Sequence, residues 1–259
     1  MRDDARGLDM QKIIHTVLAL AVLITAATLA GCTGVPGPEE TEVFDRTVAV
    51  EPGSGVVVVN RNGGVNVSVW EEDFVAVTAV KRTVYGRAEL AKVGIEVAEG
   101  DPLRIETVYT GLNVRASVDY TIRVPPDVVL QRVESSNGGI DLRGVEGYVT
   151  ATTSNGAVTV EDCGGVLALR TSNGPISATI SAVREDVMIS SSNGGIALRL
   201  AEDLDARVVA ATSNGRVTVR GLPLRVSEST GTSVTGLLGD GGPTITVTTS
   251  NGGIDLSGP

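Results

Sequence analysis

Residues 171–178 read Thr171-Ser172-Asn173-Gly174-Pro175-Ile176-Ser177-Ala178, and their inner triplet, Ser-Asn-Gly, occurs six times in the 259-residue chain. Its asparagines are Asn137, Asn155, Asn173, Asn193, Asn214 and Asn251, at intervals of 18, 18, 20, 21 and 37 residues. The last interval is close to two repeats, and a worn copy, Ser229-Thr230-Gly231, falls inside it. A recurring period of this size marks a repeat architecture, in which each unit buries its apolar face against its neighbours.

Counted from each repeat's own asparagine, four columns are apolar. Position −6 holds Val149, Leu167, Val187, Val208, Leu224 and Ile245, and position −4 holds Ala151, Leu169, Ile189, Ala210, Val226 and Val247. Position +3 holds Ile140, Val158, Ile176, Ile196, Val217 and Ile254, and position +5 holds Leu142, Val160, Ala178, Leu198, Val219 and Leu256. Each repeat therefore has two short strands with two inward side chains apiece, joined at the Ser-Asn-Gly corner. Asn and Gly both tolerate positive φ, which is the expected reason for their place at a sharp corner.

Two folds use this pattern. One is an antiparallel meander with Asn-Gly type I′ hairpins. The other is a right-handed parallel β-solenoid with 17–21 residue coils. Face parity fits both. Pro175 favours the solenoid, because a two-residue hairpin needs an N–H where proline has none. Near-identical columns favour like stacking on like. Coils ~4.8 Å apart give seven repeats a length of roughly 30 Å and bring asparagines and Ser/Thr hydroxyls within reach of ladders. The last repeat ends at Leu256-Ser257-Gly258-Pro259 without a polar cap, so end-to-end association through an open coil is expected.

Upstream, residues 45–130 form an N-terminal β segment of period-two apolar runs, with a single short helical turn allowed at Gly86 to Lys92. Asn62-Gly63-Gly64 repeats the downstream registry, with Val56, Val58, Val65 and Val67 at −6, −4, +3 and +5. The repeats proper occupy 131–259. Asn66-Val67-Ser68 is a glycosylation sequon whose asparagine alternates outward.

At the N-terminus, residues 13–30 are an apolar run behind Lys12, with Met1 and Met10 both available as starts. It fits a secretory signal, although about 18 apolar residues also just span a bilayer. Leu29-Ala30-Gly31-Cys32 resembles the lipobox of prokaryotic lipoproteins. That resemblance implies a signal peptide over 1–31, an acylated Cys32, a Pro/Gly/Glu-rich spacer over 32–44, and an exported protein held on the extracytoplasmic side of a membrane.

Composition narrows the function classes. Net charge is −10, which repels phosphate backbones and argues against nucleic acid as a partner. The only histidine, His15, lies in the leader, so no Ser-His-Asp triad, Cys-His pair or histidine zinc site exists downstream. Aromatics are 3%, too few to line the coils with sugar-stacking platforms, and no cofactor or metal is implied. Cys163 has no basic neighbour in sequence and reads as a small residue at a turn.

The links between coils vary. Two are long and acidic, one with Glu185 and Asp186, the other with Glu202, Asp203 and Asp205. As insertions of consecutive repeats they are expected side by side, as a carboxylate patch for a cation or ligand or as solvated loop charge offset by Arg184 and Arg207.

Three features together resemble the putative-adhesin β-strand-repeat family (domain of unknown function 4097). They are Asn62-Gly63-Gly64-Val65 running on to Trp70, the serial Thr-Ser-Asn-Gly repeats, and the lipoprotein leader. The resemblance covers about 45–259 and implies an all-β, solenoid-like exported domain; it brings no catalytic residues. The expected function is a non-catalytic, lipid-anchored surface protein, an adhesin or scaffold, with an envelope glycan or surface protein as partner. The alternative is a carbohydrate-active β-helix enzyme or glycan-binding module, whose site would want paired carboxylates in a cleft. Ice binding is disfavoured because Arg170, Met188 and Val209 interrupt the outward threonine columns.

Overall fold

The computed structural model describes residues 36–145 and 147–259; the leader and Cys32 lie outside them. The described residues are all-β apart from one helical turn. The first part contains β1 (Glu40–Ala49), β2 (Gly55–Val59), β3 (Val65–Val69), β4 (Phe74–Thr83), α1 (Arg87–Leu90), β5 (Val93–Ala98), β6 (Leu103–Tyr109) and β7 (Ser117–Val124). Strand pairs then follow: β8 (Val129–Asn137) with β9 (Ile140–Arg143), β10 (Tyr148–Asn155) with β11 (Val158–Glu161), and β12 (Gly165–Thr171) with β13 (Ile176–Ile180). Next are β14 (Val187–Ser191) with β15 (Ile196–Leu200), and β16 (Ala206–Asn214) with β17 (Val217–Arg220). The last are β18 (Arg225–Ser229) with β19 (Ser233–Leu238), and β20 (Thr244–Asn251) with β21 (Ile254–Ser257).

The first strand of each coil joins one sheet and the second strand joins another, and one continuous apolar core lies within. Coil-to-coil pairing is parallel and in register: Val158 faces Ile140 and Ile176, and Asn155 faces Asn137. The meander is thereby excluded for these strands. Asn62 belongs to the same stack, since β2 pairs with β8 and β3 with β9, both parallel. The sheets run without a break across residue 130.

The spatial order departs from the chain order at one place. β20 lies between β14 and β16, and β21 lies between β15 and β17. The final repeat is therefore an inner coil, not the open end expected of it. The worn copy forms no coil. β18 and β19 are an antiparallel hairpin that runs beside β16 and covers that end of one sheet. Thr230 replaces asparagine there because its Oγ1 accepts from the N–H groups of Thr232 and Ser233 and so closes the turn. At the other end, antiparallel β1, β4 and β7 extend one sheet and β5 with β6 the other.

Three smaller expectations are corrected. β1 begins at Glu40, inside the stretch read as spacer, because it pairs with β4 along its whole length and Glu42 binds Lys81 at 2.7 Å. Leu167 is only half-buried. A bulge passes its −6 place to Val166, which aligns with Val149. Val226 is 51% exposed, since its strand is an edge hairpin.

Candidate functional site

The asparagines form one ladder through the molecule, in the order Asn62, Asn137, Asn155, Asn173, Asn193, Asn251 and Asn214. Each Nδ2 donates to the Oδ1 of the asparagine before it, at 2.7, 2.7, 2.9, 2.9, 2.7 and 3.0 Å. A side-chain amide carries both a donor and an acceptor, so it can bond to both neighbours in a stack, which a carboxylate or an ammonium cannot. Except at half-buried Asn62, these side chains are exposed. Each such bond is therefore worth no more than about 0.5–1.5 kcal/mol.

Beneath this ladder runs a second one. In the six coils after that of Asn62, the hydroxyl two residues before the asparagine points inward and donates to the corner-glycine carbonyl of the adjacent coil. The pairs are Ser135 to Gly63, Thr153 to Gly138, Thr171 to Gly156, Ser191 to Gly174, Thr249 to Gly194 and Thr212 to Gly252, at 2.8–3.1 Å. These Ser and Thr residues are buried. Strand alternation carries the inward parity of the −6 and −4 columns on to this −2 place, and the stack shows what the hydroxyls bond.

The corner glycines are required for a different reason from the one expected. Among the described residues, positive φ at a non-glycine residue occurs at Asn113 and Asp162 only, and of the seven corner glycines Gly63 alone has it (φ 111). What forbids a side chain is the next coil. A Cβ on Gly138, Gly156, Gly174, Gly194, Gly252 or Gly215 would fall on the carbonyl group of the stacked glycine, the same carbonyl that accepts the inner hydroxyl.

The acidic residues are not gathered as expected. Because β20 intervenes between β14 and β16, the Glu185–Asp186 loop and the Glu202–Asp205 loop flank the segment that leads into β20. Asp186 Oδ1 accepts from the Thr244 N–H at 2.8 Å and Asp205 Oδ1 from the Asp240 N–H at 2.7 Å. Two of the five carboxylates thus anchor the inserted coil. Among the described residues, no group of three or more His, Cys, Asp or Glu is placed to hold a metal ion.

Among the described residues there are several concavities, one of them of about 350 Å³ lined by Glu39, Asn62, Arg82 and Tyr85. A cleft of about 440 Å³ is bounded by Glu51, Glu71, Glu72, Asp73, Asp127 and neighbouring prolines. Trp70 stands beside it, but Phe74 packs edge-on against the indole at 4.8 Å and Arg123 lies over the ring at 5.6 Å, so the ring is not a free sugar platform. No periodicity marks these carboxylates, because three separate loops bring them together. A smaller groove of about 260 Å³ crosses the outer face of β11, β13, β15 and β21, where Ser177 and Ala197 leave room between Glu161, Arg199 and Asp255.

Sequence reasoning also missed Asn60, which is 4% exposed. Its Nδ2 donates to the carbonyls of Gly63 and Val118, and its Oδ1 accepts from the Arg61 N–H and the Thr107 hydroxyl. Thr107 in turn bonds the Tyr120 hydroxyl at 2.7 Å. Burial pushes the Tyr120 phenol well above its ordinary pKa. This network closes the first coil and leaves Asn60 no capacity for a ligand.

Cys163 is 2% exposed, and burial raises its thiol pKa. A raised pKa depletes the thiolate, the reacting form. Cys163 is therefore expected to resist a maleimide in the native protein at neutral pH and to react fully in denaturant; labelling at equal rates in both states would refute the burial.

Residues 127–257, 131 of the 259, match the model of a family described as Toastrack DUF4097. Among solved structures, a putative cell adhesion protein from Clostridium sporogenes is 14% identical with a TM-score of 0.43, over 84% of this chain and 100% of that one. A putative adhesin from Bacteroides fragilis is 13% identical with a TM-score of 0.30, over 87% and 100%. Another from Parabacteroides distasonis is 10% identical with a TM-score of 0.32, over 84% and 97%. No curated protein matches the chain.

Proposed function

Because this chain belongs to the Toastrack DUF4097 family, we propose that it is a non-catalytic, exported and lipid-anchored envelope protein, an adhesin or scaffold that holds a rigid β-rod off a membrane. The observation that carries this reading is the double ladder. The asparagine amide and the glycine carbonyl of the polar triplet that looks like a binding site multiplied are engaged in coil-to-coil hydrogen bonds, and what faces solvent is the outer side of a ten-stranded and an eleven-stranded sheet. Such faces suit contact with an extended partner, an envelope glycan or a surface protein. In this reading Cys32 carries the acyl chain, residues up to Glu39 are the spacer, and the coil is right-handed, the hand that parallel crossovers take.

A second reading, a glycan-active or glycan-binding module, draws on the carboxylate-lined cleft beside Trp70. The covered indole and the absence of histidine after His15 count against a catalytic version.

The test uses the full chain in cells fed a clickable fatty acid. The wild type is expected to be labelled and membrane-bound, and Cys32→Ala to accumulate as unlabelled precursor. Persistent label in Cys32→Ala would sink the anchor. Release of sugar from envelope polysaccharide by the purified protein would sink the non-catalytic reading.

A further inference from the structure

We propose that Asn214-Gly215 is a site of spontaneous deamidation, left open by its place at the end of the asparagine ladder, and that the reaction spreads inward from it. The chain has seven Asn-Gly pairs. Asn-Gly is the dipeptide in which the following backbone nitrogen reaches the side-chain carbonyl carbon most easily, because glycine has no Cβ in the way. The Gly215 nitrogen attacks Cγ of Asn214. A C–N bond forms, the Cγ–Nδ2 bond breaks, and ammonia leaves with the proton from the Gly215 N–H, giving a succinimide. Water then adds to either carbonyl of that ring and opens it to aspartate or isoaspartate.

The attack requires that the amide swing away from its partners and that the glycine nitrogen approach it. Inner asparagines are held on both sides. Asn173 donates to Asn155 at 2.9 Å and accepts from Asn193 at 2.9 Å, and Asn251 donates to Asn193 at 2.7 Å and accepts from Asn214 at 3.0 Å. Their glycines are half-buried against the adjacent coil. The opposite end is guarded differently. Asn62 accepts from Asn137 at 2.7 Å, and the Gly63 nitrogen that would attack donates to the Asn137 carbonyl at 2.8 Å. Asn214 only donates; no hydrogen bond to its Oδ1 is found among the described residues, and both Asn214 and Gly215 are exposed.

The product undoes the next rung. An aspartate at 214 accepts but does not donate, so the bond to Asn251 is lost and carboxylate oxygens face the Asn251 Oδ1. Asn251 then becomes a ladder end held on one side, with Asn193 behind it.

The experiment incubates the full chain at mildly alkaline pH, native and in denaturant, and follows tryptic peptides by mass spectrometry. Residues 208–216 report Asn214, 226–259 report Asn251 and 185–199 report Asn193. In denaturant the sites should react at similar rates. In the native protein Asn214 should react first, about two- to twelvefold faster than Asn155, Asn173 or Asn193, the factor one further hydrogen bond imposes on an opening equilibrium. The variant Asn214→Asp should then make Asn251 the fastest site. An inner asparagine that keeps pace with Asn214, or an Asn214 as slow as the inner ones, overturns the open-end assignment. An Asn251 no faster in Asn214→Asp than in the wild type overturns the inward spread.

Discussion

Gly194→Ala is expected to destabilise the protein by about 3 kcal/mol or more, the upper end of overpacking costs, and to lower its melting temperature by about 6–12 °C. The new methyl would meet the Gly174 carbonyl of the adjacent coil, which is backbone and already fixed by the Ser191 hydroxyl. Relief requires the coils to part locally, and parting them stretches both ladders at once. The neighbouring glycine supplies the control. A Cβ on Gly195 would lie 3.5 Å from its nearest neighbour, the Gly253 carbonyl, an ordinary contact. Gly195→Ala is therefore expected within about 0.5 kcal/mol of the wild type. Thermal unfolding of the two variants, side by side, decides the matter. Equal effects would mean that backbone freedom, rather than coil-to-coil contact, selects glycine at the corner.

Ending the chain at Gly242 is expected to have a larger effect. It removes β20 and β21, and with them Ile245, Val247, Ile254 and Leu256, all fully or almost fully buried. At about 1.5–3 kcal/mol for each buried side chain the loss is about 6–12 kcal/mol, comparable with the stability of a whole domain. The damage is also misplaced for a simple terminal truncation. β16 and β17 would lose the strands they pair with on that side, while β14 and β15 would present open edges. Because repeat stacks hold together by nearest-neighbour contacts, coils from β2 to β13 should stay folded while residues 206–238 unfold. Limited proteolysis of the shortened protein reads this directly. Residues 206–238 that stay protected, with an unchanged melting curve, would show that the last repeat stacks at the end and not inside.

Much of the architecture is legible in the residues. The −6, −4, +3 and +5 columns name the buried side chains of nearly every coil, because a strand's period of two and a fixed corner leave little freedom of register. Pro175 separates parallel coils from hairpins by its missing N–H. The candidate site is less legible. Asn60 falls two residues before Asn62, where the other coils carry Ser or Thr, but its partners Val118 and Thr107, like the carboxylates beside Trp70, come from segments distant in sequence. The role of the corner glycine is hidden from the sequence for a related reason: the atom that excludes a side chain belongs to another coil.

Composition and period establish that coils form, which side chains they bury, and that asparagine sits at every corner. They do not establish the order in which the coils stack. The coils of Asn193, Asn214 and Asn251 present the same apolar columns and the same amide, so to the Asn193 coil either of the others is an acceptable neighbour. Repeated signals are degenerate, and contacts outside the repeat break the tie. The β18–β19 hairpin occupies the far side of β16, and Asp186 and Asp205 grip the segment that leads into β20 from either side. Those contacts join residues 35 and 58 positions apart, so the tertiary structure alone places the last repeat inside the stack and leaves Asn214 at its end.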